Sequence, residues 1–306
     1  MNILFTNIGR RTYMIDFVKE IPNIKIFLTD CEPTVPGFYY QGINKYLLPN
    51  VIGNNKKYLL KLLNFVKNKK IEKLFPLSDY DLFILSKNRT KFEKLGCDVI
   101  IPKFDLVKIC LNKKKMYKYC LKNKINTPTS FFQKSNISLK LDLLKKKILG
   151  SGSVGMEIIK NRSNIKNLDF NKFFLQEKIS GTEFGVDIFN DPKKSFSRIC
   201  IKKKILMRSG ETDRSLIVTE KKIENFAKYL IKIFNHYGNI DCDIIKDKNN
   251  KLYLLDLNPR FGGGYPSTHL SGMNFLKYIL TNGKYKPSKY SKKIFISKGI
   301  SVHKSK

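Results

Sequence analysis

Tryptophan is absent from the 306 residues, histidine occurs only at positions 236, 269 and 303, and acids are scarce, with 25 Asp and Glu against 59 Lys and Arg. The six cysteines, at 31, 97, 110, 120, 200 and 242, show no C-x-x-C spacing. So few histidines and no paired cysteines argue against a zinc site and against a disulfide framework, and buried free thiols are expected instead. No apolar run approaches the roughly 20 residues of a membrane-spanning helix. Met1-Asn-Ile-Leu-Phe-Thr6 lacks the charged and apolar regions of a secretory signal, so a cytoplasmic protein with no membrane partner is expected. No internal repeat is visible.

What is present suits a folded protein. Apolar residues make up 42% and aromatics 12%, which argues against wholesale disorder. A chain of this length is expected to form one or two compact units. The net charge of +34 would draw in any polyanion. The lysines, however, are spread through every segment, mostly as pairs on helix faces, so nucleic-acid binding is not favoured. A small anionic substrate would profit from the same field.

The most informative stretch is Lys251-Leu-Tyr-Leu-Leu-Asp-Leu-Asn-Pro-Arg-Phe-Gly-Gly-Gly-Tyr-Pro266. Its apolar start reads as a strand entered from the polar turn at 246–250. Alternation puts Asp256 and Asn258 on one face, Pro259 ends the ladder, and Arg260 follows beside three glycines. Two hard oxygen donors on one face suit magnesium, which completes its shell with phosphate and water. A polar strand edge running into a glycine turn is the plainer alternative. Gly238-Asn-Ile-Asp-Cys-Asp-Ile-Ile245 is the natural hairpin partner, and Asp241 or Asp243 could add a second carboxylate.

Upstream, strand and helix patterns alternate from Asn2 to about Pro102, predicting a parallel sheet with helices on both faces. Asp30 closes the second strand, yet the first turn has only Gly9, so no dinucleotide site is expected. Arg10 and Arg11 read as surface charge, with an anion site as the alternative. Asp79 or Asp81 is placed to cap a helix. Gly150-Ser-Gly-Ser-Val-Gly155 could wrap phosphate oxygens with backbone N–H groups, although no Walker lysine follows. A helix is expected over 267–280.

Asp256-Leu-Asn258-Pro-Arg260 followed by Phe-Gly-Gly-Gly, with Asp241 on the preceding strand, resembles the ATP-grasp superfamily, especially its carbamoyl-phosphate synthase large chain-like branch of carboxylate–amine ligases. Asp256 stands where that family usually has Glu, and Asn112 where it usually has Asp. The resemblance implies an α/β and α+β chain: a Rossmann-like pre-ATP-grasp domain over 1–102, a two-lobed ATP-grasp domain over 103–290, and a flexible basic tail over 291–306. It implies ATP with Mg2+, or Mn2+ in its place, held by Asp241, Asp256 and Asn258. It also implies nucleotide contacts from Lys113, Lys146, Gly150, Ser151, Gly152, Ser153, Gly155, Glu177, Lys178, Ile179 and Glu183. Arg260 would stabilise the transferring phosphoryl group, and Arg208 and Arg214 would clamp an acceptor carboxylate or acyl phosphate, since guanidinium matches planar oxyanions. The expected reaction is ADP-forming ligation of a small carboxylate to an amine, or to a thiol. A polyanion binder or an inactive ATP-binding protein of the same fold is the alternative, and a homodimer is the commonest assembly.

Overall fold

Fifteen strands in three sheets frame the described residues of the computed structural model, which are 1–134, 137, 142–150, 155–159, 165, 167–288, 290 and 293–299. The first sheet is wholly parallel, in the order β3-β2-β1-β4-β5. It comprises β1 (Asn2–Thr6), β2 (Lys25–Asp30), β3 (Asn44–Leu47), β4 (Lys73–Pro76) and β5 (Asp98–Val99). Ile3, Leu4 and Phe5 are all buried, as a strand covered by helices on both faces requires. Asp30 accepts the Gly9 N–H at 2.9 Å and those of Cys31 and Glu32, so its carboxylate braces the loop after β1.

The second sheet is small and antiparallel, in the order β6-β9-β7-β8: β6 (Ser130–Phe131), β7 (Leu143–Lys147), β8 (Glu157–Ile159) and β9 (Phe173–Glu177). The third, also antiparallel, runs β14-β13-β10-β11-β12-β15. Its strands are β10 (Gly181–Asp191), β11 (Phe196–Arg208), β12 (Glu211–Ile217), β13 (Gly238–Asp247), β14 (Leu252–Asn258) and β15 (Ile294–Ser297).

Period-two alternation gives this sheet its two characters. Val186, Ile188, Ile201, Ile240, Cys242 and Ile244 pack against the helix Lys221–Phe234 through Ile223, Ala227, Leu230 and Phe234. The intervening positions, Glu183, Asp187, Lys202, Lys204, Asp241 and Asp243, carry charge on the opposite face.

One continuous core joins the parallel sheet to the large lobe, running from Ile3 and Phe5 through Phe17 to Phe189, Tyr265, Phe275 and Tyr278. Two features depart from the sequence reading. The helix expected over 267–280 is two, Tyr265–Leu270 and Phe275–Leu280. Gly272 at φ +92° interrupts it, Asn274 caps the second piece, and the Tyr265 hydroxyl accepts the N–H groups of Phe275 and Leu276. Finally, the segment expected to be a flexible tail contains β15, paired with β12 from Arg214↔Ser297 to Ile217↔Ile294. Among the described residues no helix is long and apolar enough to cross a membrane.

His236 sits wholly inside, with Nε2 donating to the Ile188 carbonyl at 3.0 Å and Nδ1 without a partner among the described residues. Burial lowers its pKa from 6.5 to about 4. The unfolded chain therefore takes up the proton first as pH falls, and stability is lost between those two values. Urea unfolding at pH 7 and pH 4.5 is expected to show a loss on the order of 3 kcal/mol that His236→Gln lacks. Equal pH slopes in the two proteins would refute this account.

Candidate active site

The β13–β14 hairpin places the acids. Asp247 closes its turn by accepting the N–H groups of Asn249 and Lys251, and Asn250 takes φ +61°. Antiparallel pairing then sets Asp243 opposite Asp256 and Asp241 opposite Asn258, so all four side chains share the charged face. Between Asp243 and Ile244 the register skips Leu255, a bulge of the kind that re-aims side chains beside active sites.

That face floors a cavity of about 710 Å3 whose roof is the small sheet. Leu144, Lys146, Phe174 and Gln176 line it from above, Lys178 and Ile179 from the connector between β9 and β10, and Arg10 and Arg11 from the loop after β1. Ion pairs organise the interior. Lys204 Nζ bridges Glu183 at 2.6 Å and Asp243 at 2.7 Å, Lys113 Nζ donates to Asp256 Oδ1, and Lys146 Nζ donates to Gln176 Oε1 at 2.7 Å. Burial alone would lower the pKa of Lys204, but Asp243 and Glu183 outweigh it and push it up. For Lys146 the balance goes the other way: burial, assisted by Lys113, outweighs the pull of Asp256, Asp243 and Glu183 and holds its pKa below the ordinary lysine value. Burial and the charges of Asp187 and Asp243 push the Asp241 carboxyl up, against the pull of Lys202 and Arg260.

The family model described as the ATP-grasp domain matches residues 110–264, half the chain and the whole of this cavity's floor. The chain is an ATP-grasp protein. Residues 3–100 match the PylC-like N-terminal domain. Over 287 residues, 86% of this chain and 73% of the relative, it is 28% identical to an uncharacterized protein of Methanocaldococcus jannaschii. Solved structures share the fold at low identity. An L-amino acid ligase from Bacillus licheniformis superposes with TM-score 0.70 at 15% identity, over 94% of this chain and 77% of that one. An ADP complex of N5-carboxyaminoimidazole ribonucleotide synthetase gives 0.76 at 13%, over 96% and 80%. Biotin carboxylase from Campylobacter jejuni gives 0.70 at 14%, over 94% and 72%.

In this ATP-grasp chain Lys113, Lys146, Gly150, Lys178, Ile179, Glu183, Asp241, Asp256, Asn258 and Arg260 all line the one cavity. Asn112 caps the helix Lys113–Lys122 by accepting the Lys115 N–H at 3.0 Å, a task asparagine and aspartate do equally well. Ser151, Gly152 and Ser153 lie outside the described residues; Gly150 and Gly155 flank them with φ +126° and +75°. Gly155 is exposed and lies beyond the lining. Three further expectations fall outside. The Glu177 side chain accepts the Thr129 N–H at 3.3 Å, because strand parity turns Gln176 rather than Glu177 to the cavity. Arg208 is exposed and pairs with Asp213 at 3.2 Å, and Arg214 is exposed on β12, so neither lines the cavity.

Other residues enter that were read differently or not at all. Asp79 does not cap its helix; Ser78 does. Instead the Asp79 carboxylate takes Arg260 in a two-pronged pair, Nε at 2.7 Å and Nη2 at 3.2 Å. Lys202, buried within β11, donates to Asp187, whose other oxygen accepts from Asn239 at 2.9 Å. Its place inside a Lys202-Lys-Lys204 run hid it, although alternation with Ile201 and Ile205 was the available signal. The glycines after Arg260 are obligatory for close approach: a Cβ on Gly262 would lie 1.9 Å from Asp241 Oδ2, and one on Gly263 would lie 2.3 Å from Glu211 Cδ.

The donor set suits a hard divalent cation. Asp243, Asp256 and Asn258 present oxygens from adjacent strands, and the Asn258 amide nitrogen is turned to the Asp241 carbonyl at 3.5 Å, which leaves its oxygen as the donor atom. Among the described residues lysine ammonium groups, rather than a ready metal cage, neutralise these carboxylates.

Proposed function

We propose that the chain is an ADP-forming ligase that joins a small carboxylate to an amine. The observation that carries this reading is the arrangement of Lys113, Lys204 and Lys146 over Asp256, Asp243, Glu183 and Gln176 inside one cavity between two antiparallel sheets. Each lysine can turn from its acid or amide to a phosphate oxygen, releasing oxygens of Asp243 and Asp256 for a cation. ATP would lie with its base against Phe174, Met116 and Ile179, its ribose at Glu183, and its phosphates beneath Lys146 and Lys113. Mg2+, bound by Asp243, Asp256 and Asn258, and by Asp241 if it ionises, would neutralise charge on the phosphates.

The chain's own groups then do three things. Lys113 and Lys146 hold the nucleotide in line. Arg260, fixed by Asp79, presents a permanent charge to the γ-phosphoryl oxygens as the substrate carboxylate attacks phosphorus and ADP departs. The roof over the cavity excludes water, so the acyl phosphate meets the amine, whose attack on the carbonyl carbon expels phosphate. No protein nucleophile is required. The alternative of a polyanion binder is not favoured, because Lys113 and Lys204 are enclosed in a roofed cavity, 14% and 6% exposed, rather than set along an open groove.

The test is a screen of carboxylate and amine pairs for ADP release with Mg-ATP. A pair dependent on both partners is expected, with turnover in Lys146→Ala reduced by about 100-fold. ATP cleavage that needs neither partner, or that persists undiminished in Lys146→Ala, would sink the assignment.

A further inference from the structure

Where the N-terminal sheet meets the cavity, three cations from distant parts of the chain converge on one carboxylate. Arg10 and Arg11 follow β1, Lys298 follows β15, and Glu211 opens β12. Glu211 Oε1 lies 3.4 Å from Arg10 and 3.5 Å from Arg11, and Lys298 Nζ lies 3.5 Å from Oε2. These are loose contacts beside the 2.7 Å of Arg260 and Asp79, and positive charge is in excess. Arg10, Arg11, Glu211, Ser209 and Gly210 all line the cavity. Burial would raise the Glu211 pKa, but Arg11, Lys298 and Arg10 outweigh it and keep the carboxyl ionised.

A second observation points to a ligand. The Tyr13 hydroxyl is buried without a hydrogen-bond partner among the described residues. Lys298 Nζ sits over the Tyr13 ring, 5.8 Å from its centre, so the tyrosine packs against the same cationic cluster. A purely structural role accounts poorly for this. Ion pairs of such length at a partly exposed seam add little to stability, and they give no reason for an orphan hydroxyl.

We propose that the Arg10–Arg11–Lys298 cluster is a substrate subsite that holds an oxyanion, carboxylate or phosphate, other than the group that is activated. Arg11, the more enclosed arginine, is its chief ligand, with Arg10 beside it on the cavity wall; Lys298 and Tyr13 back the pair from behind the lining. Glu211 keeps the cations oriented until the anion arrives. The inference rests on reading the cavity as a ligase site, and it restricts the substrates to those with a second anionic group.

Calorimetric titration of the full chain with glutarate in one arm and glycerol phosphate in the other tests it and separates the two chemistries. Binding in one arm is expected, weakened at least about tenfold in Arg11→Gln and unchanged in Lys57→Gln, which removes an exposed charge on the helix Asn55–Asn68. Arg10→Gln, at a half-exposed side chain, gives a second variant should Arg11→Gln fold poorly, with the same direction expected. Neither probe binding the wild type, or arginine variants titrating like Lys57→Gln, would overturn the subsite. A fluorescent ADP titration of the same proteins is expected to be unchanged throughout. Failure of the wild type to bind that nucleotide counts against the ligase reading and leaves the anion result standing by itself.

Discussion

Replacing Asp256 with asparagine is expected to reduce ADP release by about three orders of magnitude, some 4 kcal/mol of barrier, while fluorescent ADP measured without magnesium binds nearly as well as to the wild type. The side chain is nearly isosteric, so the change is one of charge. It removes the strongest oxygen donor on β14 and the counter-ion of Lys113 together. Asp243, directly opposite, already serves the same cation once Lys204 turns away, so it cannot stand in for the lost donor. Asp256→Glu is expected to stay within about tenfold of the wild type, since one methylene of extra reach preserves the donor. Steady-state ADP release across a magnesium titration is the measurement. Turnover in Asp256→Asn within tenfold of wild type would remove Asp256 from the metal site.

The second large effect concerns stability. Arg260 is buried and paired at 2.7 Å and 3.2 Å with Asp79 from the N-terminal sheet's helix. Burial disfavours its charge, but Asp79 first, then Asp241 and Glu211, hold it protonated. Arg260→Met leaves the Asp79 carboxylate in a largely enclosed place without its guanidinium, a loss of about 3–5 kcal/mol. The double variant Asp79→Asn with Arg260→Met is expected to recover much of that stability and none of the turnover, because the phosphoryl-facing charge stays absent. Urea unfolding and ADP release, measured on the wild type, Arg260→Met and the double variant, separate the two roles. A single-variant loss under about 1 kcal/mol would mean that the pair is not coupling the sheet to the site.

The legibility of the site in the sequence follows strand parity. Asp256 and Asn258 are readable because side chains repeat every two residues along the strand; the hairpin leaves Asp241 and Asp243 as alternatives, and only the resemblance selects Asp241. Lys113 and Lys146 were readable only through resemblance, since nothing local distinguishes them among so many lysines. Glu177 was misplaced by one residue of parity: Gln176 faces inward. Arg208 and Arg214 looked apt as oxyanion ligands by chemistry alone, but the β11–β12 hairpin turns them outward.

Local pattern by itself determined the parallel first sheet and the glycine-flanked acid hairpin, because each depends on residues close together in the chain. Tertiary structure decided which arginines reach the cavity, which acid holds Arg260, and that residues 294–297 complete a sheet. Those outcomes join segments as far apart as Asp79 and Arg260, or Arg11 and Lys298. The energy of such a pairing exists only after burial has removed the water between its partners, and no spacing along the chain records it.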